Sequence, residues 1–425
     1  MIVHLAFTCC VLGLTIFNYY AGRRNILYPA FLFSLIWLVV FCIYMLPLVE
    51  VDKLGTYTLF VVVSGVISFS AGAAIVGWWT FSRPLAVASR SNSIFKKILF
   101  FCCLALLPGF VLEILRLSAS GGLESFMISA RAAIADAVTS GEKPYSSPIY
   151  TIAPMLAIFN AFIFLIEARE GRRERVWVWA SVLMALSFSV LSTGRTWFLE
   201  LVVGLVGIHL LRSRRFSAKD AWKFVRWPLV ATLVLFSLLV LLNKDTSGEN
   251  GGTTDALGHY VLGYTVIPLA GFDYVLHHPS EYKYDSNHTF KQALPTLARI
   301  FGFRYTPPPT LDDFVWVPLP TNVYTVFKYY YVDFGLSGML VTMFSIGAGQ
   351  TWLFQKALTG AHFYIFLFAI SLYPLAMVAF DDSYSLILNN LVAVAFAALY
   401  FRFLRPSPFQ TRAGIGPPRA EQAQH

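Results

Sequence analysis

Charge is what this sequence has least of. Asp, Glu, Lys and Arg make up 13% of the 425 residues, while 57% of positions are apolar and 16% aromatic; ordinary soluble domains carry about a quarter charged residues. That imbalance excludes a soluble globular enzyme and points to a bilayer as solvent. A disulfide framework is also missing. The five cysteines, Cys9, Cys10, Cys42, Cys102 and Cys103, all fall within apolar runs. There they read as small hydrophobes, with neither metal-ligand spacing nor an oxidised scaffold. The first apolar run lacks a basic stretch before it and a small-residue cleavage site after it, so it is expected to be a retained helix.

What is present is a series of apolar runs, each close to the ~20 residues that cross ~30 Å of hydrocarbon as a helix. Spans are expected near 2–20, 27–48, 56–80, 98–116, 148–166, 176–192, 196–211, 227–243, 334–354, 362–380 and 386–404. The expected fold is therefore an all-α integral membrane protein with about 11 transmembrane helices. A formal charge of +9 does not imply a nucleic-acid partner, because the basic residues sit in short clusters between spans. Arg23 and Arg24; Arg83, Arg90, Lys96 and Lys97; Arg169, Arg172, Arg173 and Arg175; and Arg212, Arg214, Arg215, Lys219, Lys223 and Arg226 fall in every second loop. Cytoplasmic loops carry such an excess, which puts the N-terminus outside and the C-terminus inside. The resulting divisions are transmembrane helices over 1–243, a large extracytoplasmic loop with interfacial helices over 244–333, three further helices over 334–404, and a disordered cytoplasmic tail over 405–425. A connection that long is expected to be functional rather than a spacer. Within it, His259 to Leu276 suits a helix in the interface or dipping back into the membrane. Residues 289–302 suit a second short helix, stopped by Pro307 to Pro309.

One run, TNVYTVFKYYYVDFGLSG at 321–338, resembles a recurring segment of the Wzy-type O-antigen polymerases, the membrane enzymes that polymerise oligosaccharide repeat units. Lesser matches are Arg23, Arg24 and Pro29 in the opening helix pair, LSTGRTW around Arg195, and YTVIPLAGFDYVL at 264–276. The resemblance implies a GT-C-like glycosyltransferase of a bacterial inner membrane, working on the periplasmic side, with 244–333 as its large periplasmic loop. Its substrates would be undecaprenyl-pyrophosphate-linked oligosaccharides, its surroundings membrane lipids, and its partner a chain-length regulator protein. It implies no metal and no soluble nucleotide sugar as cofactor, in keeping with the absence of a DxD, P-loop or dinucleotide signature.

Such chemistry selects residue types. Departure of a lipid pyrophosphate calls for fixed cations, and arginine grips phosphate oxygens in bidentate fashion. Arg195 ranks first because the positive-inside rule does not account for it, snorkelling to pair with a lipid headgroup being its other reading. Arg299 and Arg304 in ARIFGFR come second, and Arg116 and Arg131 are alternatives. The acceptor hydroxyl must lose a proton, and Asp333 stands where a span begins; capping that helix is its other reading. Asn322, Tyr324 and Tyr330 are of the kind that hold sugars, although tyrosine also populates the aromatic belt. Asp273 is a second possible acid. His259, His277, His278 and His288 lack the companions of a zinc site, and Asp381 with Asp382 reads as a solvated turn. An O-antigen ligase shares nearly all of these features. A transporter of lipid-linked glycans is the alternative from another class, and the internal repeats typical of transporters are absent.

Overall fold

The computed structural model describes residues 2–46, 53–79, 93–118, 129, 130, 132–134, 136, 137, 145–168, 171–192, 195–213, 265–279, 288–291, 294–305, 312, 314–317, 320–384 and 387–403. In chain order the helices are α1 (Ile2–Ala21), α2 (Pro29–Tyr44), α3 (Thr56–Trp79), α4 (Ser93–Leu117), α5 (Pro148–Glu167), α6 (Arg172–Leu191) and α7 (Arg195–Ser213). After them come α8 (Ile267–His277), the short α9 (Leu294–Phe301), α10 (Phe327–Leu358), α11 (His362–Ala376) and α12 (Ile387–Ala398), which runs into a π turn at Leu399–Phe403. Between α9 and α10 two short strands, β1 (Val315–Trp316) and β2 (Pro320–Thr321), pair antiparallel with Val315 opposite Thr321. Among the described residues, seven helices are long and apolar enough to cross a membrane, and α2, α11 and the α12 region are shorter apolar helices. The expected eighth span, 227–243, lies outside the described residues, as do Pro307 to Pro309 and the tail after 403.

The local sequence explains several helix boundaries. Pro29 and Pro148 open α2 and α5, where the missing amide proton costs nothing and φ is already helical. The Ser147 hydroxyl also accepts from the Ile149 amide at the start of α5. Gly360, at φ +85°, ends α10 in the left-handed region, as a helix C-terminus favours.

Contacts between helix ends sort the array into two ends, called upper (where α10 begins) and lower. At the upper end Tyr44 of α2 accepts from Leu54 before α3, and Glu113 of α4 accepts from Ser146 before α5. His4 of α1 also stacks on Tyr44 there, at 5.5 Å. At the lower end Lys96 of α4 lies 3.6 Å from Glu167 of α5 and 3.7 Å from Glu174 of α6, and Phe95 packs on Tyr400 after α12. The array thus begins at one end and finishes at the other. The basic turn at Arg23 and Arg24, where both residues adopt positive φ, joins α1 to α2 at the lower end.

Helices α3 and α10 pack most closely. A Cβ on Gly72 would stand 2.0 Å from the Phe344 carbonyl oxygen, and one on Gly347 would stand 2.1 Å from that of Phe69. Small residues bring backbones together where apolar side chains gain nothing by leaving lipid. Ser68 adds a 2.7 Å hydrogen bond to the Leu340 carbonyl. Nearby, the buried Asn18 amide reaches Ala30, Ser34 and Ser70, tying α1, α2 and α3.

Two expectations are corrected. α4 begins at Ser93 and α6 at Arg172, so lysines and arginines assigned to loops stand in first helical turns, Lys96 buried between two glutamates. α10 begins at Phe327, and its break at Gly335 separates a charged first part from the apolar span. α8 buries seven of its residues, from Ile267 to Val275, against α3 and the strand pair.

Candidate functional site

At the upper end, the first turns of α10 gather charge. The Lys328 ammonium stands 2.5 Å from the Asp312 carboxylate, with both side chains almost completely buried. It lies 3.5 Å from the centroid of the Tyr324 ring and 5.3 Å from that of Tyr329, and the Tyr329 hydroxyl donates to the same Asp312 oxygen at 2.8 Å. Burial of two charges is tolerable only with such pairing, and the aromatic faces add cation–π attraction. His288 stacks parallel to Tyr329, ring centroids 5.7 Å apart. Burial holds its imidazole below the usual range, against the pull of Asp312 and Asp333, so the ring is uncharged at neutral pH.

Asp333, one and a half turns further on, does not cap the start of α10. Its carboxylate accepts from the His288 amide (3.2 Å), the Thr289 amide (2.7 Å) and the Thr289 hydroxyl (2.6 Å). It therefore ties the 288–291 turn to α10 just before the break at Gly335, whose φ of 67° and ψ of −173° belong to a region almost exclusive to glycine.

The loop after α11 completes this end. The Tyr330 hydroxyl donates to Asp382 at 2.9 Å, as does the Tyr384 amide at 3.0 Å, and the Asp382 amide donates to Asp381 at 2.8 Å. The pair is not the solvated turn expected of it: Asp382 is buried and Asp381 half-buried. Burial pushes the Asp381 carboxyl up to about 6; the Asp382 amide, Lys291 and Lys328 oppose that rise, and Asp312 reinforces it.

Beside this loop a cavity of about 70 Å³ opens between α7 and α11, lined among others by Thr196, Glu200, Tyr373 and Ser383. The Tyr373 hydroxyl is hydrogen-bonded to Thr196 and Ser383, and it senses the charges of both Glu200 and Asp381. Room for a few waters next to a carboxylate on a membrane-length helix is a polar opening in an apolar body.

Arg195 is the first residue of α7, directly before Thr196, so the cavity opens at its helix terminus; Arg299 lies on α9. The side chains of both are outside what the structure describes. Arg304 is exposed beyond the end of α9, and Asn322 is half-buried in the link between β2 and α10. Tyr324 and Tyr330 are buried, so in this state they build the site rather than face a ligand. Asp273 serves α3 instead: its carboxylate accepts from the Gly55 amide at 2.8 Å and from the Thr58 hydroxyl. Arg116 pairs with Glu113 at 2.7 Å, and Arg131 lies outside the described residues. Among the described residues no group of three His, Cys, Asp or Glu could hold a metal ion. Lys328, Asp312, Asp381 and Glu200 were not read as site residues from sequence. Glu200 carried a usable signal, a lone carboxylate inside an apolar run. Lys328 finds Asp312, and the 381–382 turn finds Tyr330 through Asp382, in other segments, which no local pattern shows.

Length, hydropathy and the alternation of helix ends define a multi-pass α-helical membrane protein. The chain is 21% identical over 291 residues, 67% of each chain, to an Escherichia coli (strain K12) protein named "Putative O-antigen polymerase". No protein-family model matches the chain, and no solved structure matches it.

Proposed function

We propose that this chain is a bacterial inner-membrane glycosyltransferase that polymerises undecaprenyl-pyrophosphate-linked oligosaccharide repeat units on the periplasmic side, within a GT-C-like helical body. One observation carries the reading. The segment 321–338, which bears the polymerase resemblance, builds the charged cluster of the upper end, joining Lys328, Tyr330 and Asp333 to three separate loop segments. The likeness to the Escherichia coli protein supports a role in polysaccharide synthesis.

In this reading the upper end faces the periplasm and the basic lower end the cytoplasm. The growing glycan breaks its bond to pyrophosphate and forms one to a hydroxyl of the next repeat unit. Arg195, Arg299 and Arg304 stabilise the departing lipid pyrophosphate. Two carboxylates compete for the acceptor proton. Asp333 already accepts three hydrogen bonds of the roughly four that a carboxylate offers, which suits it to positioning the 288–291 turn. Asp381, raised by burial to about 6, has the basicity that proton transfer favours, and it takes the role of base. Asn322 contacts sugar.

The test is direct: purified protein incubated with lipid-linked repeat units should yield a ladder of extended glycans. A knockout should leave core carrying a single repeat unit. Core with no repeat attached would instead identify a ligase and sink the polymerase reading.

A further inference from the structure

We propose that the groove between α5, α6 and α7 at the lower end is a binding site for one anionic phospholipid. It encloses about 790 Å³, within the range of small-molecule sites, and its described lining includes Arg175, His209 and Arg212 together with Val178, Val182 and Leu205. The order of these residues along the helices gives the argument. Arg175 precedes Val182 by seven residues on α6, and Leu205 precedes Arg212 by seven on the neighbouring α7. At 1.5 Å per residue, charge and apolar wall are about 10 Å apart on both helices, with the charge at the mouth. Positive groups at headgroup level above an apolar slot running toward the bilayer centre match one lipid: phosphate outside, acyl chain within.

The mouth is also held in place. Arg212 donates to the carbonyls of Leu165 and Ala168, where α5 ends, so its guanidinium is fixed across the groove without an acidic partner in those two bonds. A guanidinium has five N–H donors, and it pairs with phosphate oxygens in bidentate fashion. Trp179 stands 65% exposed beside the slot, a side chain suited to the headgroup boundary. A zwitterionic lipid would use the wall but not the net charge, and a soluble phosphate would use the charge but not the wall.

Native mass spectrometry of the full-length protein in detergent separates these sources. The probes are phosphatidylglycerol, phosphatidylethanolamine with the same acyl chains, and glycerol phosphate as the headgroup alone. Phosphatidylglycerol should be retained preferentially and glycerol phosphate not at all. Because Arg212 also caps α5, Arg175→Gln carries the test of charge: it should weaken phosphatidylglycerol about fivefold, the effect of one basic residue at a membrane surface, and leave phosphatidylethanolamine unchanged. Leu205→Trp, which fills the slot, should weaken both lipids. Equal retention of the two lipids, tight binding of glycerol phosphate, or indifference of phosphatidylglycerol to either variant would overturn the proposal.

Discussion

Lys328 and Asp312 show how a charge survives inside this chain. Each alone would be a large desolvation penalty; together, with Tyr329 donating to the same carboxylate and Tyr324 beneath the ammonium, they form a closed polar unit. Lys328→Met strands the Asp312 charge and should cost about 3–5 kcal/mol, whereas Lys328→Met combined with Asp312→Leu should recover most of it. Thermal unfolding in detergent reads both; a single variant as stable as wild type would show the pair to be energetically idle. Asp381 makes a different prediction. A base works ionised, and with its carboxyl raised to about 6 glycan extension should decline as pH falls through that value. Asp381→Asn keeps an oxygen for the Asp382 amide but removes the base. Extension should then be lost while membrane protein levels hold, and undiminished polymer from this variant would return the role to Asp333.

At the scale of elements, the decisive feature is the break in α10. Gly335 places the charged first turns at an angle that Asp333 and the 288–291 turn lock from outside the helix. No atom would obstruct a Cβ at Gly335, so Gly335→Ala should act through backbone conformation alone, costing about 1–3 kcal/mol. Limited proteolysis near residue 290 should accelerate with it, and an unchanged cleavage rate would uncouple the break from the turn. This element also marks where sequence stops being legible. The apolar spans were readable because each repeats one physical requirement, a run long enough for hydrocarbon, and a described helix overlaps ten of the eleven. The first turns of α10 were not, because Lys328 and Asp333 count against a membrane helix until their partners are known. Those partners lie 16 residues away at Asp312 and 44 away at Thr289. Likewise the acidic turn at Asp381 looked solvated because nothing local reveals that Tyr330, 52 residues from Asp382, covers it.

For the whole molecule the two ends have opposite chemistry. The upper end concentrates Asp312, Asp333, Asp381, Asp382 and Lys328 in mutually bonded groups. The lower end offers Lys96 between glutamates and the arginines of the α6–α7 groove. If the excess of basic residues marks the cytoplasmic face, the glycan chemistry proposed for the upper end takes place where lipid-linked sugars await extension outside the cell membrane. Two exposed arginines report on this independently of activity. In spheroplasts a membrane-impermeant maleimide should label Arg304→Cys, and should reach Arg175→Cys only after permeabilisation. The native cysteines sit in helices, most of them facing outward, where an impermeant reagent finds lipid rather than water. The reverse pattern would move the charged cluster to the cytosol, where the proposed periplasmic chemistry could not occur, while the groove on α6 and α7 would still face a lipid leaflet.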